Sequence, residues 1–202
     1  ATPFIYTEVM LSAAGGVKGL VLRGIDPESA PKVLSMLREI RRGSVADLKR
    51  EGTPGIVIGE ELAKRLGIGL GSRVNLLSPS GEKGATGYSP RIRPFEVVGI
   101  FKTGMFEYDS SLGFISLAAA RDLLGLPSDQ ISGIEVTVKD VYKADTVAAA
   151  LQKELGPLAS VRTWMDMNAN LFAALKLEKI GMFILLAMVV LIGSFSIVTT
   201  LV

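Results

Sequence analysis

The stretch "FEYDSS" sets Glu107 and Asp109 two residues apart, and paired carboxylates can do acid–base work or bind a cation. On a strand, positions i and i+2 share a face, so the pair would point the same way. No histidine, third carboxylate cluster or calcium-loop pattern accompanies them, and a solvated turn or polar network is the plainer reading. The chain has no His and no Cys. That removes Ser-His-Asp and Cys-His catalysis, the common zinc sites, disulfides and thiol chemistry together. "GIGLGS" (67–72) carries the glycines of a phosphate-cradling loop, yet it follows a helical pattern and enters a strand, the reverse of a dinucleotide fingerprint. A helix C-cap followed by a tight turn explains it. With no G-x-x-x-x-G-K-[ST] either, the expectation is no catalytic residue, no metal and no cofactor. The net charge is +2 and no basic stripe is interleaved with aromatics, so no nucleic-acid partner is expected.

What remains to be positioned is a projection. "RVNLL" (73–77) and "PFEVVGIFK" (94–102) read as strands, and a hairpin turn needs only about two to five residues. Ser78 to Pro94 uses seventeen. Pro79, Pro90 and Pro94 bias this run toward extended backbone, and Pro90 and Pro94 bracket Arg91, Ile92 and Arg93 with Tyr88 alongside. Arg and Tyr are enriched at interface hot spots. From the residues alone, a docking element and a floppy connection stand equal.

The elements around it are mixed. Phe4–Ser12 and Val17–Ile25 read as a hairpin joined by "AAGG". Asp26 and Pro27 suit the start of a helix running to about Arg42, with Pro31 able to move its start to Ser29. A strand at 56–58, a helix at 60–66 closed by Gly67, and a helix between Ser116 and Gly125 follow. Alternation over 131–139 predicts a strand, 141–155 a helix and 160–164 a short strand, one βαβ unit. From Met165 one unbroken helix is expected. Ile180 to Val202 is 23 residues without a charge, about 34 Å of helix, enough for a bilayer core of about 30 Å. Hydrophobic residues make up 49% and mean hydropathy is +0.41. Lys176, Glu178 and Lys179 mark the membrane boundary or meet lipid headgroups. Leu171, Phe172 and Leu175, with Asn168, sit at helical spacing before them, suited to packing or to a lipid-bearing substrate. The fold class is α+β. If 131–164 is half of a split-βαβ sheet, Phe4–Ser12 would pair with it, and the other strand and helix would precede Ala1. The start without Met and the end inside an apolar run are what a piece of a longer chain would show.

"GIVIGEELAKRLGIGLGSRVNLLSP", "VVGIFKTGMFEYDSSLGFISLAAARDLLGL" and "TWMDMNANLFAALKLEKIGMFILLAMVVLIGSFSIVTTLV" together resemble the lipoprotein-releasing permeases LolC and LolE, of the wider MacB/FtsX-like group. The resemblance runs from about Thr2 to the end. It implies a MacB-like periplasmic domain with a split-βαβ Porter lobe at 1–23 and 128–164 and an inserted, mainly-β Sabre lobe at 24–127. A juxtamembrane helix at 165–179 and a transmembrane helix at 180–202 would follow. Residues 1–179 would lie in the periplasm of a Gram-negative cell, anchored in its inner membrane. The 78–94 run would be the Hook, which in LolC-type relatives recruits the periplasmic carrier LolA through residues here placed at Pro79, Tyr88, Pro90, Arg91, Ile92, Arg93 and Pro94. The partners implied are a LolD-like ATPase, a second LolC/LolE-type permease subunit, either identical or different, the carrier and the lipoprotein substrate. The chain itself would be a non-catalytic permease subunit. A MacB-like efflux or toxin-export subunit and an FtsX-like regulator of a cell-wall hydrolase are the alternatives.

Overall fold

The computed structural model describes residues 1–50, 52–84 and 87–201, without the side chains of 80–84, 87–89, 158 and 195–201. β1 (Thr2–Ala13) and β2 (Gly16–Ile25) pair antiparallel along their full lengths, the hairpin expected from the sequence. Ile5, Val9 and Leu11 are buried while Tyr6, Glu8 and Met10 face out, the period-2 pattern of a half-covered strand. They belong to the first of two compact units, Ala1–Thr137 and Val138–Val202.

In that first unit α1 (Ala30–Val33), a 3-10 turn (Ser35–Arg38) and β3 (Ile40–Gly43) come next. After a second 3-10 turn (Ala46–Lys49) follow β4 (Gly55–Gly59), α2 (Glu60–Leu66), β5 (Arg73–Gly84) and β6 (Gly87–Phe101). The unit ends with α3 (Phe106–Ser111), β7 (Leu112–Ser116), α4 (Leu117–Leu124) and β8 (Gly133–Glu135). Six strands close a ring of pairings, β1–β2–β7–β4–β6–β5 and back to β1. β2–β7 and β4–β6 are parallel; the other pairs of the ring are antiparallel. β3 adds to β6, and β8 adds to Thr2–Phe4 of β1.

One buried cluster draws on all six ring strands, among them Leu11, Leu22, Ile58, Leu76, Phe95 and Ile115, and on Leu62 and Leu66 of α2 and Leu123 of α4. A second, with Leu34, Leu37, Val57, Phe101 and Phe114, lies under α1 and the 3-10 turns. β4 contributes to both, so all five of its residues are buried and its sequence "GIVIG" is apolar without alternation.

Several sequence expectations change. The helix expected to run to Arg42 stops after four residues, because Leu34 adopts an extended backbone (φ −92°, ψ 104°). Leu34 and Leu37 turn into the second cluster, and the Arg38 guanidinium donates to the carbonyls of Pro31 and Lys32 in place of helical N–H groups. The strand expected over 131–139 forms only at 133–135, since β1 offers it three partners, Thr2–Phe4. Arg23 holds β8 there by pairing with Glu135 and lying 5.0 Å over the Phe4 ring. Residues 160–163 form no strand.

The second unit contains a 3-10 turn (Val141–Lys143), α5 (Ala144–Leu155), a further turn (Gly156–Leu158), α6 (Trp164–Met167) and α7 (Ala169–Leu201). Gln152 staples the end of α5, donating to the carbonyls of Gly156 and Ala159 and accepting from the Val161 N–H. The helix expected to be continuous from Met165 is interrupted at Asn168 (φ −114°, ψ 27°). Among the described residues no helix is long and apolar enough to cross a membrane. The uncharged part of α7 with described side chains is Ile180–Ser194, about 22 Å at ~1.5 Å per residue, and the rest of the 180–202 run lies outside them.

Candidate docking hairpin

The projection expected at 78–94 is β-structure almost throughout: the β5 and β6 strands simply continue. Its base is anchored by Val74 and Leu76 of β5 and Phe95 and Val97 of β6, each at most 2% exposed. Asn75 stands opposite Pro94, Leu76 opposite Arg93, Leu77 opposite Ile92 and Ser78 opposite Arg91. The register then shifts. Pairing resumes with Glu82 opposite Ser89, Lys83 opposite Tyr88 and Gly84 opposite Gly87, so Pro79, Ser80 and Gly81 oppose Pro90 alone. Proline has no N–H to give a ladder and is tolerated at such bulges, which explains why both prolines mark this point. Residues 85 and 86, at the tip, lie outside the described residues, as does the side chain of Tyr88.

Alternation sorts the candidate residues onto two faces. Arg91 and Arg93 share the face of Leu76 and Ser78, toward the ring's core and α4; Ile92 shares the other face with Leu77. Both arginines contact Asp122 of α4, Arg93 while its side chain stays 45% exposed. Arg93 Nε donates to Asp122 Oδ2 at 2.9 Å, and Arg91 Nη1 donates to the Asp122 carbonyl at 3.4 Å. Ile92, on the opposite face, is 51% exposed, with Pro79, Pro90 and Pro94 exposed around it. Met10 of β1 stands opposite Leu77 and is itself 50% exposed. Met10, Leu77 and Ile92 thus form an apolar row across three strands. It borders a cleft of about 660 Å³ whose walls include Glu8, Gly19, Val21, Pro79 and Pro90. This surface is suited to protein contact.

Glu107 and Asp109 lie on a helical turn, α3, not on a strand, and they part company. Asp109 is 3% exposed and accepts from the N–H groups of Thr103 and Gly104 and from the Thr103 hydroxyl, at 2.8–3.2 Å. Its carbonyl is so close to β4 that a Cβ on Gly59 would come within 2.2 Å of it. This is the polar-network reading: the carboxylate ties down the loop that displays Met105, Phe106 and Tyr108. No group of three or more His, Cys, Asp or Glu suited to a metal occurs among the described residues.

In the second unit, Thr163 and Asp166 form a reciprocal capping box, and the Thr163 N–H and hydroxyl hold the Asp166 carboxyl below its ordinary value. Trp164 donates its indole N–H to the Val141 carbonyl at 3.4 Å and packs edge-on against Phe172, ring centres 5.3 Å apart. Asn168 donates to the Trp164 carbonyl at 2.7 Å. Of the three juxtamembrane candidates, Phe172 is thus used in an elbow between α6 and α7, whereas Leu171 and Leu175 are 57% and 50% exposed, one turn apart. Asp122, Asp166 and Met10 were not singled out by the sequence; only their cross-strand or capping partners reveal them.

Residues 1–154 match the family model described as MacB-like periplasmic core domain. The chain is 34% identical to the lipoprotein-releasing system transmembrane protein LolC of Neisseria meningitidis serogroup B, over all of this chain and 48% of that protein. It is 23% identical to LolE of Haemophilus influenzae, over the same shares of each. The chain thus spans about half the length of the curated relatives it matches. Among solved structures, it is similar to the extracellular domain of the noncanonic ABC-type transporter YknZ from Gram-positive bacteria, with TM-score 0.48 and 16% identity over 77% of this chain and 75% of that one. The chain belongs to the MacB-like periplasmic core domain family, within which its similarity runs to the LolC/LolE lipoprotein-releasing permeases.

Proposed function

We propose that the chain is the periplasmic part of a lipoprotein-releasing permease subunit and that its β5–β6 hairpin docks a LolA-like periplasmic carrier. The observation that carries this reading is the outward apolar row, Met10, Leu77 and Ile92, at the root of a hairpin that continues well past the core. Exposed apolar contiguity on a rigid projection is the signature of a protein contact. Pro79, Pro90 and Pro94 flank the contact, Tyr88 lies on its distal part, and Arg91 and Arg93 brace it from behind.

The 180–202 segment is read as the membrane span, which requires the residues past Ser194. Residues 1–179 then face the periplasm, with the Porter and Sabre lobes as divided above. A LolD-like ATPase and a second LolC/LolE-type permease subunit complete the transporter. Removing acyl chains from a bilayer costs about 0.8 kcal/mol per buried CH₂, so release of a multiply acylated protein needs an external energy source. This chain is not the ATPase; its elbow of Trp164, Asn168 and Phe172 carries movement of α7 into α6 and the Val141 turn. Leu171 and Leu175 are the side chains offered to the lipoprotein.

A photo-crosslinking residue at position 92 of the full chain, mixed with the purified carrier, tests this. A crosslink at 92, and none from a control at Tyr142, 89% exposed in the second unit, supports the reading. Equal or no crosslinking at both sites overturns it.

A further inference from the structure

The hairpin's bracing points to a residue outside the hairpin itself. α4 spans eight residues from a Ser116 cap, whose hydroxyl accepts from the Ala119 N–H, to Gly125 in the left-handed conformation (φ 66°). Its C-terminal carbonyls carry the partial negative charge of the helix. Arg91 sits against that end. A Cβ on Gly125 would lie 2.3 Å from Arg91 Nη1, so the guanidinium rests directly against this glycine. Asp122, one turn earlier, takes both arginines: Arg93 through its carboxylate and Arg91 through its main-chain carbonyl. These contacts are made on the last ladder rungs before the bulge, where Leu76 faces Arg93 and Ser78 faces Arg91. Beyond them the ladder is interrupted at Pro79–Gly81 and Pro90, and no described side chain of the distal part reaches the buried clusters.

We propose that Asp122 is a positioning residue for docking. By holding Arg93 against α4 through its carboxylate, beside the Arg91 contact to its main-chain carbonyl, it keeps Ile92 turned outward and fixes the angle at which β5 and β6 leave the ring. This rests on the reading of the hairpin as the carrier's docking site. Arg93 and Asp122 side chains are 45% and 65% exposed, so their ion pair is of the exposed class, modest in strength and weakened by salt. The role is to restrict the hairpin, not to hold the fold together.

The test compares the full chain in detergent with Asp122→Ala and Asp122→Glu, by amide hydrogen exchange, thermal midpoint and titration with the purified carrier. Asp122→Ala is expected to speed exchange at residues 87–94 by about two- to five-fold and to weaken carrier binding by a similar factor. Exchange in β4 and the thermal midpoint stay unchanged, and Asp122→Glu restores both readouts. Raised salt should reproduce the change in wild type and add little to Asp122→Ala. Unchanged exchange at 87–94, or a loss of protection spread through α4 and β4, overturns the positioning role. Faster exchange with equal carrier affinity overturns its part in docking. Faster exchange with no carrier binding by wild type leaves the bracing intact and overturns the docking reading alone.

Discussion

Leu77 on β5 stands directly opposite Ile92 on β6, and Met10 on β1 stands opposite Leu77 from the other side. The row they form faces away from the buried clusters, so its members can be changed without opening the core. Ile92→Asp is expected to lower carrier affinity at least tenfold, as a charge at the centre of an apolar contact must be desolvated unpaired. Thermal stability should stay within about 0.5 kcal/mol of wild type, as for exposed positions in general. Calorimetric titration and a thermal melt on the same preparation separate the two effects.

Asp109 makes the opposite prediction. Its buried carboxylate serves Thr103 and Gly104, and Asp109→Ala leaves those donors without their acceptor. A stability loss of about 1–3 kcal/mol is expected, read by chemical denaturation. Gly59→Ala should be destabilising for a separate reason, because the new methyl would meet the Asp109 carbonyl, which is backbone and cannot swing aside. A Gly59→Ala protein as stable as wild type would mean α3 does not sit as described.

The elbow at Thr163–Asp166 should respond to acid. The Asp166 carboxyl is lowered from 3.8, first by the Thr163 N–H and then by its hydroxyl. A lowered folded value means the stabilisation is complete above about 3.8 and is lost as pH falls through the lower folded value. Trp164 is the one tryptophan in the chain and lies within this turn, so its emission reports the elbow directly. A transition is expected below pH 3.8, and in Thr163→Ala its midpoint should rise toward 3.8. A midpoint unmoved by that substitution would remove the capping box from the explanation.

Leu171 and Leu175 share a face of α7 and are not used by the elbow. Replacing both with Ser should leave carrier binding intact while slowing lipoprotein release by the assembled transporter in proteoliposomes. Loss of both functions together would show that these residues serve the fold.

Short-range signals read well from the sequence. Ser116 and Gly125 bounded α4, Gly67 closed α2, and the first hairpin fell where "AAGG" put it. What sequence could not show depended on distant partners. The 131–139 alternation found only three residues of β1 to pair with. Apolar spacing at Val33, Leu34, Leu37 and Ile40 fitted a helix equally well, but the second cluster and the Arg38 guanidinium selected a broken path. The hairpin was legible as an excess of length and as Pro79, Pro90 and Pro94. Which way its arginines face was not, because that follows from a register fixed by Leu76 and Phe95 in the core and from Asp122, twenty-nine residues beyond Arg93. The ring closure likewise needs the parallel β2–β7 and β4–β6 pairs, which no local pattern announces.

The measurement that bears most directly on the central claim is the affinity of the full chain for the purified carrier when Ser80–Arg93 is replaced by a short Gly-Ser turn. That exchange removes Ile92 together with the distal hairpin and leaves the buried base, Val74, Leu76 and Phe95, in place. The account predicts that wild type binds, that the shortened chain loses binding, and that both melt at the same temperature. Equal binding by the two chains would contradict it and place carrier recruitment elsewhere on the molecule.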